Sequence, residues 1–134
     1  MALARFKWTV IDDVIIGVTG AGDMPEDGWK QFVAEMLAKP VTKYLQYATG
    51  ATQLSSVQRK LGIDAVAEKK MKVVMVTDST VVRGIVTAAS WFGLKVSSWR
   101  LAEIEAAVKD LGVPSDRVDV IMKAAKKLAE QVGD

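Results

Sequence analysis

The stretch KVVMVTDSTVVRGIVTAASWFGLKV, residues 72–96, predicts a strand, a helix and a second strand in succession. Its opening segment, KVVMVTDS (72–79), predicts a strand that is the most apolar one after VIIGVTG (14–20). Asp78 or Ser79 can cap the following helix by accepting a hydrogen bond from a free backbone N–H, and Gly93 is a good helix stop. The stripe of this helix that we expect to be buried comprises Val81, Val82, Ile85, Val86, Ala89 and Phe92. Two strands joined by a helix are expected to lie parallel in one sheet.

The same alternation extends in both directions along the chain. Two apolar segments, RFKWTVI (5–11) and VIIGVTG (14–20), flank a two-residue polar turn and predict a hairpin. A helix over 24–39, a strand over 41–50 and a helix over about 54–69 follow it, and a fifth strand and two further helices follow residue 93. The fold class is therefore predicted to be α/β. It has a mainly parallel five-stranded sheet packed with helices, and the N-terminal hairpin supplies one antiparallel edge strand.

The chain is predicted to form a single domain over residues 1–134. Its core is expected to span about residues 5–112, with a C-terminal helical extension over 114–132 that begins after Pro114. The apolar side of this last helix is expected to pack against another surface. The sheet, a second copy of the chain in a homodimer, and another protein are the three alternatives.

The composition excludes several classes of function. Eighteen Lys and Arg against 16 Asp and Glu give a net charge of +2, which argues against a nucleic-acid partner. The chain contains no His and no Cys, so disulfides and thiolate metal sites are excluded, and we expect no cofactor, no metal ion and no enzymatic activity. The first ten residues lack the apolar segment of a signal peptide, and no apolar run approaches the ~20 residues that span a bilayer. We therefore expect a cytoplasmic protein that does not insert stably into a membrane.

A glycine-rich corner at VIIGVTGAGDMPEDG, residues 14–28, superficially resembles a dinucleotide-binding loop. In such a loop the backbone N–H groups at a helix start bind a pyrophosphate. Here the spacing is G-x-x-G-x-G, and Asp23, Glu26 and Asp27 lie near the helix start, where they repel phosphate. We interpret the glycines as the residues of a tight corner.

Two adjacent hydroxyls stand at a second strand-to-helix corner, YATGATQLSSVQRKLG, residues 47–62. Either Ser55 or Ser56 can be a plain helix cap. A serine at a helix start is also a favourable place for a phosphate, because free N–H groups and the helix dipole stabilise negative charge. Both interpretations stay open at this point.

From about Val14 to Gly112 the chain resembles a STAS domain, the fold of sulfate transporters and bacterial anti-sigma-factor antagonists, and more closely the broader STAS-like group. The resemblance rests on element order and on the segments TGAGDM (19–24), EDGWKQFVAEML (26–37), TKYLQYA (42–48), residues 72–96 and AEIEAAVKDLG (102–112). It implies a regulatory module that binds another protein, such as a kinase or an anti-sigma-type regulator. In anti-sigma antagonists the second serine of an Asp-Ser-Ser-Gly corner is phosphorylated, which implies Ser56, or else Ser55, as phosphoacceptor. This chain has Leu54 and Val57 in place of the Asp and Gly.

The implied partner surface combines the serine corner with the next helix start. Gln58 and Arg59 are expected to be exposed there, and Asp78 and Arg83 form a second polar cluster that could bind an anion. The STAS-like group also shares its architecture with CRAL-TRIO lipid-transfer domains, so the resemblance implies an alternative function as a carrier of a lipid or another apolar small ligand. Side chains that could line such a ligand site are Trp29, Trp91, Phe92, Met36 and Met122.

Overall fold

A computed structural model describes residues 2–91 and 93–132, with the side chains of residues 88–91 left aside. The strands are β1 (Phe6–Ile11), β2 (Val14–Thr19), β3 (Gly22–Asp23), β4 (Lys43–Ala48), β5 (Thr52–Gln53), β6 (Lys72–Val76) and β7 (Val96–Trp99). The helices are α1 (Glu26–Ala38), α2 (Ser56–Lys69), α3 (Thr80–Trp91), α4 (Ile104–Leu111) and α5 (Val118–Val132).

The main sheet has the strand order β1-β2-β4-β6-β7. β1 is an antiparallel edge strand in register with β2, from Phe6 opposite Thr19 to Ile11 opposite Val14. The other neighbours, β2 with β4, β4 with β6 and β6 with β7, are all parallel. The prediction of an α/β fold with a mainly parallel five-stranded sheet and one antiparallel edge strand is confirmed.

One face of the sheet is covered by α1 and α2. The side chains that point to this face alternate along each strand, as the period of two requires: Tyr44 on β4 and Val73 on β6 face it, whereas Leu45 and Val74 face the opposite side. The core of this face is aromatic, with ring contacts among Phe6, Trp8, Trp29, Phe32 and Tyr44.

The opposite face is covered by α4 and α5. Ile121 and Ala125 of α5 are fully buried in the same cluster as Val14 and Ile16 of β2. The last helix thus packs against the sheet, which is one of the three arrangements left open by the sequence. It lies over β2 and the edge strand β1, so it forms part of the core of the domain.

Two polar contacts join the end of the described chain to its beginning. Arg117 Nε donates to Asp12 Oδ2 at 2.8 Å, and Lys7 Nζ donates to Gln131 Oε1 at 3.2 Å. Asp12 occupies the hairpin turn with φ of 55°, a left-handed conformation that Asp tolerates better than most residues.

A second, two-stranded sheet was not predicted. β3 pairs in parallel with β5, and Leu3 forms an isolated parallel bridge to Asp23. Runs of two residues carry no periodicity, so the sequence pattern could not indicate them. They lie beyond the ends of β2 and β4, at the edge of the main sheet where the parallel strands end.

Candidate functional site

The serine corner is a complete capping box. Ser55 Oγ accepts a hydrogen bond from the backbone N–H of Gln58 at 3.1 Å, and Gln58 Oε1 accepts one from the backbone N–H of Ser55 at 2.8 Å. The expectation that either serine can cap the helix is therefore met by Ser55. Ser56 is the first residue of α2, and its side chain is exposed.

Gln58 does not belong to an exposed surface. Its side chain is 7% exposed, and its Nε2 donates to the backbone oxygen of Met24 at 2.9 Å. The expectation that Gln58 is exposed is wrong, because this amide ties the start of α2 to the segment before α1. Arg59 is exposed as expected, and its Nη1 donates to the backbone oxygen of Leu54 at 3.1 Å.

The second polar cluster is divided between two faces. Ser79 Oγ accepts from the backbone N–H of Val82 at 3.3 Å and so caps α3. Asp78 is exposed, and its Oδ1 instead accepts from the backbone N–H of Leu101 at 3.1 Å, on the side of α4. Arg83 is half-buried on α3. Ser56, Arg59 and Asp78 share the carboxyl edge of the parallel strands.

The glycine corner serves backbone packing. Gly22 has φ of 129°, and a Cβ added there would lie 2.6 Å from the backbone oxygen of Ala2. A Cβ on Gly50 would lie 2.8 Å from the backbone nitrogen of Ala21. Gly22 thus lies in a tight corner, in agreement with the interpretation from sequence, whereas Gly17 of the same motif lies within β2. Gly50, outside that motif, allows an equally close approach of the neighbouring segment.

A concave groove lies between α2 and α3. It has a volume of about 500 Å³ and a floor formed by β4, β6 and the edge strand β7. Val73 and Met75 of β6 and Val96 of β7 belong to that floor, and Ile63 of α2 and Val82 of α3 belong to its walls. Met75, on a central strand, is only partly buried. The volume falls within the roughly 300–1,000 Å³ of small-molecule sites.

The wall formed by α3 changes the interpretation of its apolar stripe. Of the predicted buried stripe, Val86 is buried, but Val81 is 72% exposed and Ile85 is 44% exposed. Both of these side chains line the groove. The prediction that the whole stripe is buried is therefore wrong, because α3 packs along β7 and leaves its other side facing an open groove. Ala89 and Phe92 lie outside the described side chains.

The five side chains predicted to line an apolar ligand site do not all lie in one place. Trp29 and Met36 line the groove. Met122 lies on α5 and packs in the opposite core, so the expectation that it lines the same site is wrong. Trp91 and Phe92 lie outside the described side chains.

A smaller cavity of about 80 Å³ adjoins the groove and shares Trp29, Tyr44, Met75 and Val82 with it. Beneath it lies a buried polar chain in which the Tyr44 hydroxyl donates to Gln46 Oε1, and Gln46 Nε2 donates to Thr19 Oγ1 at 3.2 Å. Burial raises the pKa of the Tyr44 phenol far above its ordinary value. Tyr44 therefore stays a neutral donor.

The groove residues of α2 were missed, although the sequence carried a signal for them. The apolar residues of α2 are spread around the helix instead of forming one stripe, and Val57, Leu61 and Ile63 are exposed. Of these three, Ile63 lines the groove. Among the side chains that the structure describes, eight large apolar ones are exposed, and five of these lie on α2 and α3: Val57, Leu61, Ile63, Val81 and Ile85. Such a concentration marks an interaction surface.

The described residues contain neither a cluster of metal ligands nor a helix able to cross a membrane. No three His, Cys, Asp or Glu residues in that part of the chain come together as a metal site. Across the same residues, none of the helices has both the length and the apolar character needed to cross a bilayer.

No protein-family model matches the chain, and no curated protein matches it either.

Proposed function

We propose that the protein is a binding module that holds an apolar small ligand in the groove between α2 and α3. The observation that carries the proposal is an open apolar groove of about 500 Å³ whose floor is formed by β4, β6 and β7 of the main sheet. In an ordinary α/β core this part of a sheet is covered by packed side chains. Here Met75 of β6 is reached by solvent, and Val81 and Ile85 remain exposed beside it.

The hydrophobic effect gives the groove its affinity. Each methylene moved from water into it contributes about 0.8 kcal/mol, before the cost of immobilising the ligand. An elongated ligand suits the site, because the lining extends from Gln53 at the carboxyl edge of the sheet to Leu94, which precedes β7. The ligand class is therefore a molecule with an alkyl chain or a comparable apolar body.

A groove-filling substitution tests this function. Val82→Phe adds volume to the wall, and Val120→Phe makes the same change at an exposed position on α5, outside the groove. We expect calorimetric titration with 1-dodecanol to show at least tenfold weaker binding to the Val82→Phe protein and unchanged binding to the Val120→Phe protein. Native mass spectrometry of freshly purified protein is expected to show a co-purified apolar molecule. No dodecanol binding by the unmodified chain, or equal binding by both variants, would contradict the proposal.

As a second function, we propose regulated binding of another protein at the serine corner. The supporting observation is that the two hydroxyls differ in their contacts. The Ser55 hydroxyl accepts the capping hydrogen bond, whereas Ser56 is exposed at the first position of α2. A phosphate on Ser56 would add about two negative charges there, beside the positive end of the helix dipole. Arg59 and Asp78 supply further charge to this surface.

The test is quantitative affinity capture from native cell extract with the unmodified chain, Ser56→Glu and, as a control, Ser115→Glu. Ser115 is also exposed and lies in a different turn, just before α5. A partner whose recovery changes with Ser56→Glu, but not with Ser115→Glu, supports the proposal. If no recovered protein responds to the Ser56 change, the phosphoserine switch is wrong.

A further inference from the structure

The groove has one charged side chain in its lining, and that charge is positive. Of the described residues that form its walls and floor, Arg59 alone is charged, and neither Asp nor Glu is among them. The polar lining side chains are Tyr44, whose buried hydroxyl already donates to Gln46, and Thr52, Gln53, Arg59 and Ser79. The last four lie away from Tyr44, at one end of the groove. Thr52 and Gln53 belong to β5, Arg59 to the first turn of α2, and Ser79 to the loop between β6 and α3. The groove thus has a polar end at the carboxyl edge of the sheet and an apolar body.

The guanidinium of Arg59 is positioned at that polar end. Its Nη1 donates to the backbone oxygen of Leu54, which lines the groove as well. None of the ion pairs formed among the described residues includes Arg59. The nearest acid on the same helix, Asp64, pairs with Lys60 at 2.8 Å. The remaining N–H donors of Arg59 are therefore not occupied by a carboxylate of those pairs.

We infer that the ligand is an amphiphile with an anionic head, whose tail lies in the groove and whose head pairs with Arg59. This inference rests on the proposed ligand-binding function and adds the chemical class of the ligand. A guanidinium binds a carboxylate through two parallel N–H···O bonds, which fixes direction as well as charge. A cationic head at the same position meets repulsion, and a neutral one gains only an ordinary hydrogen bond.

The experiment compares three ligands that share one tail: dodecanoate, 1-dodecanol and dodecyltrimethylammonium. Each is titrated by calorimetry at low ionic strength, below its micelle concentration. We expect dodecanoate to bind about three- to tenfold tighter than dodecanol, since the pair with Arg59 remains partly exposed to water. The ammonium ligand is expected to bind most weakly. Added salt is expected to reduce the difference.

Arg59→Gln is expected to abolish the preference for dodecanoate, so that the ratio of the dodecanoate and dodecanol affinities falls to about one. Arg59→Lys retains part of the preference. Lys60→Gln removes the same charge from the same helix outside the groove and is expected to retain all of it. Equal affinity for dodecanoate and dodecanol in the unmodified chain, or a preference that survives Arg59→Gln, overturns the inference while the groove function stands. Binding of none of the three ligands overturns both.

Discussion

Gly62 of α2 lies directly against the indole ring of Trp29 of α1. A Cβ added to Gly62 would lie 2.7 Å from ring atom Cζ2. The ring cannot easily give way, because its Nε1 donates to the backbone oxygen of Gln58 at 2.8 Å and its face stacks on Phe32. Because position 62 has no side chain, α1 and α2 can approach each other closely at this contact. Gly62 and Trp29 also both line the groove.

This contact predicts opposite outcomes for two Gly→Ala changes. Gly62→Ala is expected to lower the free energy of unfolding by up to about 2 kcal/mol, since overpacking of ~1–3 kcal/mol outweighs the ~1 kcal/mol gained in helix propensity. Gly84→Ala in α3, where no atom lies within 4 Å of the added Cβ, is expected to raise it by about 0.5–1 kcal/mol. Urea unfolding followed by circular dichroism measures both. A stabilising Gly62→Ala would contradict the described packing.

The capping box predicts a difference between the two adjacent serines. Ser55→Ala removes the acceptor for the Gln58 N–H and is expected to cost about 1 kcal/mol of unfolding free energy. Ser56→Ala changes an exposed hydroxyl and is expected to have an effect within about 0.5 kcal/mol. The same urea titration applies. Equal effects of the two changes would show that Ser55 is not the cap.

Neighbouring residues on α5 test whether that helix belongs to the core. Ile121→Ala is expected to cost about 2–5 kcal/mol, because the side chain is fully buried against the sheet. Val120→Ala, at a position that is 37% exposed, is expected to change stability by no more than about 0.5 kcal/mol. Thermal unfolding distinguishes the two. A small loss for Ile121→Ala would mean that α5 is a loosely attached element.

The buried phenol of Tyr44 predicts a loss of stability in alkali. Burial raises the pKa of Tyr44 in the folded protein, whereas in the unfolded chain it ionises near pH 10. The folded state therefore keeps a proton that the unfolded state loses. The contribution of Tyr44 to stability is complete below about pH 10 and falls by about 1.4 kcal/mol per pH unit above it.

The chain has two tyrosines, so each can be followed alone. In the Tyr47→Phe protein, tyrosinate absorbance is expected to appear only together with unfolding as the pH rises. In the Tyr44→Phe protein, Tyr47 is half-buried, and burial and then Asp78 raise its pKa. Because solvent reaches it, Tyr47 is expected to ionise while circular dichroism still reports a folded chain. Tyrosinate in folded Tyr47→Phe protein would contradict the burial of Tyr44.

Ser56 and Arg59 lie three residues apart on α2, so their side chains are neighbours on the helix surface. A carboxylate introduced by Ser56→Glu is expected to pair with Arg59 and to weaken dodecanoate binding about two- to fivefold, with dodecanol binding unchanged. The neutral Ser56→Gln protein is the matched control. Calorimetric titration measures both ligands, and equal losses for the two ligands would indicate a distorted groove rather than competition for Arg59.

The layers of the fold could be predicted from the sequence because they follow from its hydrophobic periodicity. Strands such as β2 and β6 are short runs of Val, Ile and Met, and α1 presents Trp29, Phe32, Val33 and Met36 at helical spacing. Alternation of strands and helices then leaves few topologies to consider. The antiparallel edge followed from two apolar segments separated by Asp12 and Asp13.

The candidate site could be predicted from the sequence only in part, for a physical reason. Periodicity indicates that one side of a helix is apolar, but it does not distinguish a side chain packed in a core from one that lines a groove. Val82 and Val86 share the α3 stripe with the exposed Val81 and Ile85. Gln58 was misjudged for a related reason, since an amide is usually exposed and only its bond to Met24 explains its burial.

The position of α5 also has a consequence for biosynthesis. Val14, Ile16 and Val18 are among the earliest core residues to leave the ribosome, yet the helix that covers them is the last described element to be made. Their apolar face therefore stays without this cover until residues 118–132 have emerged. A ribosome stalled before residue 118 would display an exposed, aggregation-prone sheet.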